Sequence, residues 1–104
     1  MNNIFSEIIN SFALNVNEEY EDIILVLKKD ELDKLEINCY EFIKDKYDIP
    51  ECSICSDEFY DEDIIRILPC NHIFHRICID KWLSTKSYKC ILCRKECGES
   101  ERYN

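Results

Sequence analysis

A chain of 104 residues with a formal net charge of −9 has room for one modest domain and an appendage, and surface-to-volume scaling leaves so short a chain a small apolar core. The charge is uneven: Met1 to Ile49 hold twelve acids against five lysines, whereas Pro50 to Cys97 hold eight acids against seven bases. Binding to phosphates rewards clustered Lys and Arg, so an acidic chain with no basic stripe is a poor nucleic-acid or anionic-membrane binder.

The opening stretch, MNNIFSEIINSFALNV, has no basic n-region and is broken by Glu7 and several Asn, unlike a secretory signal. The longest purely apolar run, IILVL at Ile23 to Leu27, is far short of the ~20 residues a membrane span needs. The expectation is an intracellular protein, cytoplasmic or nuclear, with no membrane span. In a reducing compartment its eight cysteines are metal ligands or free thiols rather than a disulfide framework.

Ile4, Phe5, Ile8, Ile9 and Phe12 recur at helical spacing, which predicts an amphipathic helix over residues 3–14, docked on its own domain or on a partner. NVNEEYED follows as a polar connection. YEDIILVL is either helix, through Tyr20, Ile23, Ile24 and Leu27, or a short buried strand, because so brief an apolar run does not settle the period. Asp30 with Asp33 three residues on predicts an N-cap and a helix reaching at least Leu35. Beyond it Cys39, Tyr40, Phe42, Ile43 and Tyr47 allow helical continuation or an irregular segment packed on the next domain. Pro50 disfavours helical geometry at Ile49 and marks a boundary. The expected layout is an acidic, mainly helical region over 1–49, a domain over 50–97 and a flexible tail over 98–104, with no internal repeats.

From Glu51 onward thiols and imidazoles come in couples: Cys52 with Cys55, Cys70 with His72, His75 with Cys78, and Cys90 with Cys93. Eight such donors make two tetrahedral sets of four, the coordination of structural zinc, and two residues between cysteines let one tight knuckle present both sulfurs to a single ion. Two zinc ions per chain are therefore expected. Spacing alone leaves open whether the couples serve in sequence or interleaved. After His75, RICIDKWL predicts a helix with His75, Cys78, Ile79 and Trp82 along one face.

The pattern C-x₂-C-x₁₄-C-x-H-x₂-H-x₂-C-x₁₁-C-x₂-C, carried by CSIC, ILPCNHIFHRICIDKWL and CILCR, resembles the RING-H2 finger of ubiquitin ligases. LKKDELDKL is similar to the helical lead-in that precedes plant-type RING-H2 fingers. PHD and LIM domains space Trp or the middle ligands differently and fit worse. The resemblance implies a small α+β, zinc-stabilised RING finger with a mainly helical N-terminal extension. It implies a cross-brace: one zinc held by Cys52, Cys55, His75 and Cys78, the other by Cys70, His72, Cys90 and Cys93.

It also implies an activity. The chain would act as a RING-type E3 ubiquitin-protein ligase, binding a ubiquitin-charged conjugating enzyme and promoting direct transfer to a lysine of a protein substrate that the sequence does not identify. Trp82, Ile54, Ile91, Leu92 and Pro69 would line the enzyme-binding groove. Ile91 departs from the Pro usual at its position, which bears on affinity and on partner choice. Arg94, directly after the last ligand, would be the linchpin, its forked guanidinium bonding the conjugating enzyme and ubiquitin at once. The alternative is a non-catalytic RING interaction module or scaffold. Cys39 and Cys97 lie outside the metal set, and with both histidines committed to zinc neither has an imidazole to activate it as a nucleophile.

Overall fold

The apolar run before Lys28 resolves as a strand, and its partner comes from the far end of the chain. In the computed structural model, which describes residues 23–103, β1 (Leu25–Leu27) pairs antiparallel with β5 (Ser100–Arg102), Leu25 opposite Arg102 and Leu27 opposite Ser100. Val26 and Leu27 are buried. The helix expected over residues 3–14 lies outside the described residues.

The expectation of a flexible tail is thus corrected. Its charged sequence carries no strand pattern, but an isolated three-residue strand needs only a neighbour's backbone donors and acceptors. Lys28 N donates to Glu99 O at 3.0 Å, and Tyr103 N to Ile24 O at 2.9 Å. Gly98, with φ +156°, makes the turn; a Cβ there would come within 2.5 Å of Glu31 Oε1. A side chain there would have to displace the Glu31 carboxylate.

The helix carrying Glu31, α1 (Lys29–Lys34), has its N-cap two residues earlier than the sequence suggests. Lys28 is the N-cap and makes no side-chain cap bond, while Asp30 and Glu31 sit inside the first turn, where carboxylates suit the helix dipole. Asp30 does not cap because α1 is set by its neighbours: Glu31 accepts from Glu99 N at 2.9 Å and from Lys34 Nζ at 2.8 Å. α1 closes at Lys34, with Leu35 as its C-cap.

Neither alternative for the following stretch holds throughout. β2 (Glu36–Cys39) pairs antiparallel with β3 (Ile64–Ile67), which pairs with β4 (Ile73–His75), giving a three-stranded sheet in the order β2-β3-β4. A strand partner from sixty-odd onward was invisible to local periodicity. The chain then makes one helical turn, α2 (Tyr40–Ile43), which buries Ile43 and leads to buried Tyr47. The described part of the extension therefore mixes short helices with strands, and its strands join elements on both sides of the boundary at Pro50.

α3 (Arg76–Thr85) follows β4 directly and packs on the sheet. Ile79 and Leu83, at i and i+4, are fully buried with Ile65, Leu68, Ile73 and Phe74. Arg66 is the one buried charged residue of this core among the described residues, 4% exposed. It is satisfied on every side: Nε and Nη2 bond Asp80 Oδ1 and Oδ2 at 2.8 Å each, and Nη1 reaches Leu32 O at 3.1 Å and Leu35 O at 2.9 Å. One guanidinium thus ties the last carbonyls of α1 to the middle of α3. Among the described residues no helix is long and apolar enough to cross a membrane.

Candidate metal centres and the adjoining groove

The eight donors converge into two groups. Ligand atoms of Cys52, Cys55, His75 and Cys78 lie within 4.8 Å of one another, and so do those of Cys70, His72, Cys90 and Cys93. Interleaving, left open by spacing, is thereby decided. The first group joins the loop before β3 to the β4–α3 junction, the second joins the β3–β4 hairpin to the last knuckle.

Each C-x₂-C pair sits on the same backbone device. Ser56 N donates to Cys52 O at 2.7 Å and Cys52 N to Asp57 O at 2.9 Å; Arg94 N donates to Cys90 O at 2.9 Å and Cys90 N to Lys95 O at 2.9 Å. Bridges between Glu51 and Glu58 and between Lys89 and Glu96 close the two turns. Ser56 and Arg94 both adopt left-handed geometry, φ 69° and 67°. Below the turns, Phe59 N bonds Pro50 O and Cys97 N bonds Tyr88 O, each at 3.0 Å. This is an internal structural repeat, where the sequence suggested none: most side chains differ, and the cysteines, the glutamate of the closing bridge and the backbone bonds recur.

Both imidazoles point Nδ1 at their thiols. Cys55 Sγ lies 3.3 Å from His75 Nδ1, and His72 Nδ1 lies 3.4 Å from Cys70 Sγ and 3.5 Å from Cys90 Sγ. His75 Nε2 is 2.9 Å from Asp63 Oδ2, so the carboxylate fixes the proton on Nε2 and frees Nδ1 for a metal. Asp63 is held below the usual carboxylate range, first by the amide of Tyr60 and then by His75. Phe59 presents its ring edge-on to His75, centroids 4.9 Å apart.

The thiols themselves call for a cation. Burial would raise Cys52, but the amides of Cys55, His75 and Ile54 and the His75 ring outweigh it and bring it down to about 7. Burial, and then the charge that Cys52 acquires, push Cys78 up to about 12; burial above all pushes Cys70 up to about 11. Three thiols crowded this closely cannot all ionise alone, whereas a dication stabilises every thiolate at once. Three sulfurs and one imidazole in tetrahedral reach are the donor set of structural zinc.

Beside the first site lies an apolar groove of about 480 Å³. Ile54, inside the first knuckle, forms one wall, and Trp82 of α3 forms the other. Trp82 is held by a 2.8 Å bond from Nε1 to Lys89 O. Ile77 and Lys81, which sequence reasoning missed, complete the helix side with Thr85; their signal was the i, i+4, i+8 spacing on the outward face of α3. Pro69, expected here, lines a separate hollow with Tyr47 and Leu68. Ile91 packs half-buried against the core, and Leu92 is exposed; neither lines the groove. Arg94 borders a neighbouring hollow that shares Trp82 and Lys86 with it. Cys39 and Cys97 join neither metal group, and Cys97 is buried, its thiol pushed up to about 12 by burial first and then by the site's sulfurs.

A family model described as Ring finger domain matches residues 50–94. The RING-H2 domain of Arabidopsis RMR1, a crystal structure, superposes with a TM-score of 0.63 at 27% identity, covering 68% of this chain and 90% of that one. Residues 50–94 form a RING-H2 finger. The finger is a cross-brace taking two zinc ions per chain. Among curated relatives, E3 ubiquitin-protein ligase RNF13 of Homo sapiens is 42% identical over 57 residues, 55% of this chain and 14% of that protein. E3 ubiquitin-protein ligase RNF149 of Homo sapiens is 64% identical over 36 residues, 35% of this chain and 9% of that protein. The likeness to these two proteins thus spans a small part of their length.

Proposed function

We propose that this chain is a RING-type E3 ubiquitin-protein ligase, which binds a ubiquitin-charged conjugating enzyme and promotes transfer to a substrate lysine without a covalent intermediate of its own. The observation that carries the reading is the groove between Ile54 and Trp82, apolar and open, with a cation at Arg94 across the same Trp. Zinc supplies the rigidity that holds the groove's walls in place. A groove of this size suits a small, transient contact, at the low end of interface areas, so that a discharged carrier can leave.

The work done is orientation. A thioester-linked ubiquitin on its carrier samples many poses, and restricting it to attack-ready ones lowers the barrier with no group here changing protonation. Arg94 suits the role because its fork of donors can bond two partners at once, and because it borders the hollow that shares Trp82 with the groove. The thiols must stay reduced to hold zinc, so a cytoplasmic or nuclear setting belongs to the proposal. The non-catalytic reading draws support from Ile91, packed on the core where the family usually has Pro.

The test is ubiquitin discharge from a panel of conjugating enzymes with the zinc-loaded chain. Discharge that falls at least about tenfold in Arg94→Ala, with two zincs still bound, supports the ligase. A silent panel with both zincs in place favours the scaffold.

A further inference from the structure

The helical wall of the groove is only partly fixed by zinc. His75 and Cys78 tie the start of α3 to the first metal site, but the wall runs on through Lys81, Trp82 and Thr85, beyond the last ligand on that helix. Burial of Ile79 and Leu83 holds α3 against the sheet, and that attraction is non-directional. Direction comes from Asp80, two residues before Trp82, which receives the fork of Arg66: Nε to Oδ1 and Nη2 to Oδ2, 2.8 Å each. Such a two-point pair fixes orientation as well as distance.

Arg66 is itself anchored outside the zinc knuckles. Its remaining nitrogen, Nη1, donates to Leu32 O at 3.1 Å and Leu35 O at 2.9 Å, at the end of α1. The tail in turn clasps α1: Glu99 N donates to Glu31 Oε1 at 2.9 Å, Lys28 N to Glu99 O at 3.0 Å, and Lys28 Nζ to Glu99 Oε1 at 2.9 Å. Neither α1 nor the tail lends a residue to the groove. A path of directional bonds therefore runs from the tail to α1 and through one guanidinium to the helix that carries Trp82. The side chains of Arg66 and Asp80 are 5% and 20% exposed, so salt screens this pair far less than a surface bridge.

We propose that Arg66 is a positioning residue for the groove: bonded to Asp80 on one side and to the carbonyl end of α1 on the other, it sets how α3 presents Trp82 opposite Ile54. The tail clasp acts through the same guanidinium. The setting of Trp82 is independent of any activity, whereas its effect on ubiquitin transfer rests on the function proposed above. A conjugating enzyme then meets a wall preset from outside the knuckles, and a disturbance of α1 or the tail reaches the groove without touching it. Coupling of this kind is measured by perturbing both ends of the path.

The experiment compares the full zinc-loaded chain with Arg66→Met/Asp80→Leu, with Gly98→Ala, and with all three changes combined. Replacing both members of a buried ion pair by apolar residues is often neutral in stability, so the first variant removes the tether without leaving an unpaired charge; zinc content and cooperative melting check this. Gly98→Ala drives a Cβ against the Glu31 carboxylate and disturbs the clasp at the other end of the path. Trp82 is the only tryptophan, so its fluorescence anisotropy and acrylamide quenching read the wall directly. Trp82 is expected to be more mobile and more quenched in the first variant, less so in Gly98→Ala, and no further changed when the two are combined. With a charged conjugating enzyme, KM should rise about tenfold in the first variant while kcat is kept, because Arg94 stands on the other knuckle. Unchanged Trp82 signals in the first variant overturn the positioning, and additive changes overturn the shared path from the tail. Where the first variant fails to load zinc, Arg66→Lys takes its place, since one ammonium keeps the counter-charge of Asp80 but not the fork; unchanged Trp82 signals there overturn the positioning equally. A released Trp82 with unchanged KM overturns the effect on transfer. Discharge absent from the unaltered chain refutes the ligase reading alone, and the Trp82 signals still decide the positioning.

Discussion

The two zinc knuckles have one backbone and two characters. Glu51 and Asp57 of the first stand where Lys89 and Lys95 stand in the second, at matching places in the same hydrogen-bonded turn, and a glutamate, Glu58 or Glu96, closes each. Where the first holds Ser56 in left-handed geometry the second holds Arg94, and where Phe59 plugs the first, Cys97 plugs the second. The lesson is that metal and backbone set the turn, leaving the remaining positions free to differ: one knuckle is acidic and lends Ile54 to the groove, the other is basic and offers a guanidinium. Cys97 then needs no catalytic role, since it occupies the counterpart of an apolar plug.

Removing the metal should abolish the comparison altogether. Structural zinc contributes on the order of 10 kcal/mol or more to small domains, so a strong chelator is expected to unfold both knuckles in one cooperative step, followed by near-UV circular dichroism. Acid should do the same. Cys70 and Cys78 keep their protons without a cation, near 11 and 12, so zinc uptake releases protons and zinc-bound thiolates have depressed pKa values; their stability is present at neutral pH and lost as pH falls. Zinc release measured against pH with a chromogenic chelator checks the sign: tighter binding at low pH would contradict it.

The plugs should differ next. Phe59 also packs on Tyr40, ring centroids 5.0 Å apart, so Phe59→Ala is expected to cost about 3–5 kcal/mol, read by thermal melting of the zinc form. Cys97→Ala removes a single sulfur and should cost about 1 kcal/mol. Equal losses would mean that the two knuckles are not braced as described.

Asp63 sharpens the contrast between the metal sites. Among the described residues His72 has no carboxylate partner comparable with Asp63 on His75. Asp63→Asn should weaken zinc at the first site by about 10–100-fold and leave the second unchanged, in a competition titration that resolves two events. The smallest effect concerns the left-handed residues. Glycine relieves the strain of a side chain at φ near 70°, offset by its greater unfolded freedom, so Ser56→Gly and Arg94→Gly should each stabilise by about 0.5–1 kcal/mol. Only Arg94→Gly should slow discharge. Such a split would mark Arg94 as kept for function at a cost in stability.

Much of the finger was legible in the residues. Ligand spacing announced two tetrahedral sites, and RICIDKWL announced α3 and the face bearing Trp82, because metal coordination and helical periodicity are both local rules. The resemblance supplied the pairing of the ligands, which the geometry then reproduced. Pro69 lines a separate hollow and Leu92 is exposed outside the groove, because nearness in sequence to a ligand does not say which side of the finger a residue faces.

What the amino-acid order determined by itself was the chemistry: eight soft donors in couples, one tryptophan beside them, an acidic approach and a cation after the last ligand. What only the tertiary structure decided was partnership. Glu36–Cys39 and Ser100–Arg102 became strands because distant segments offered them backbone bonds, and Arg66 found Asp80 and the end of α1 across the core. A backbone donor's choice among remote acceptors depends on where the whole chain has been brought, and the zinc ions do much of that bringing.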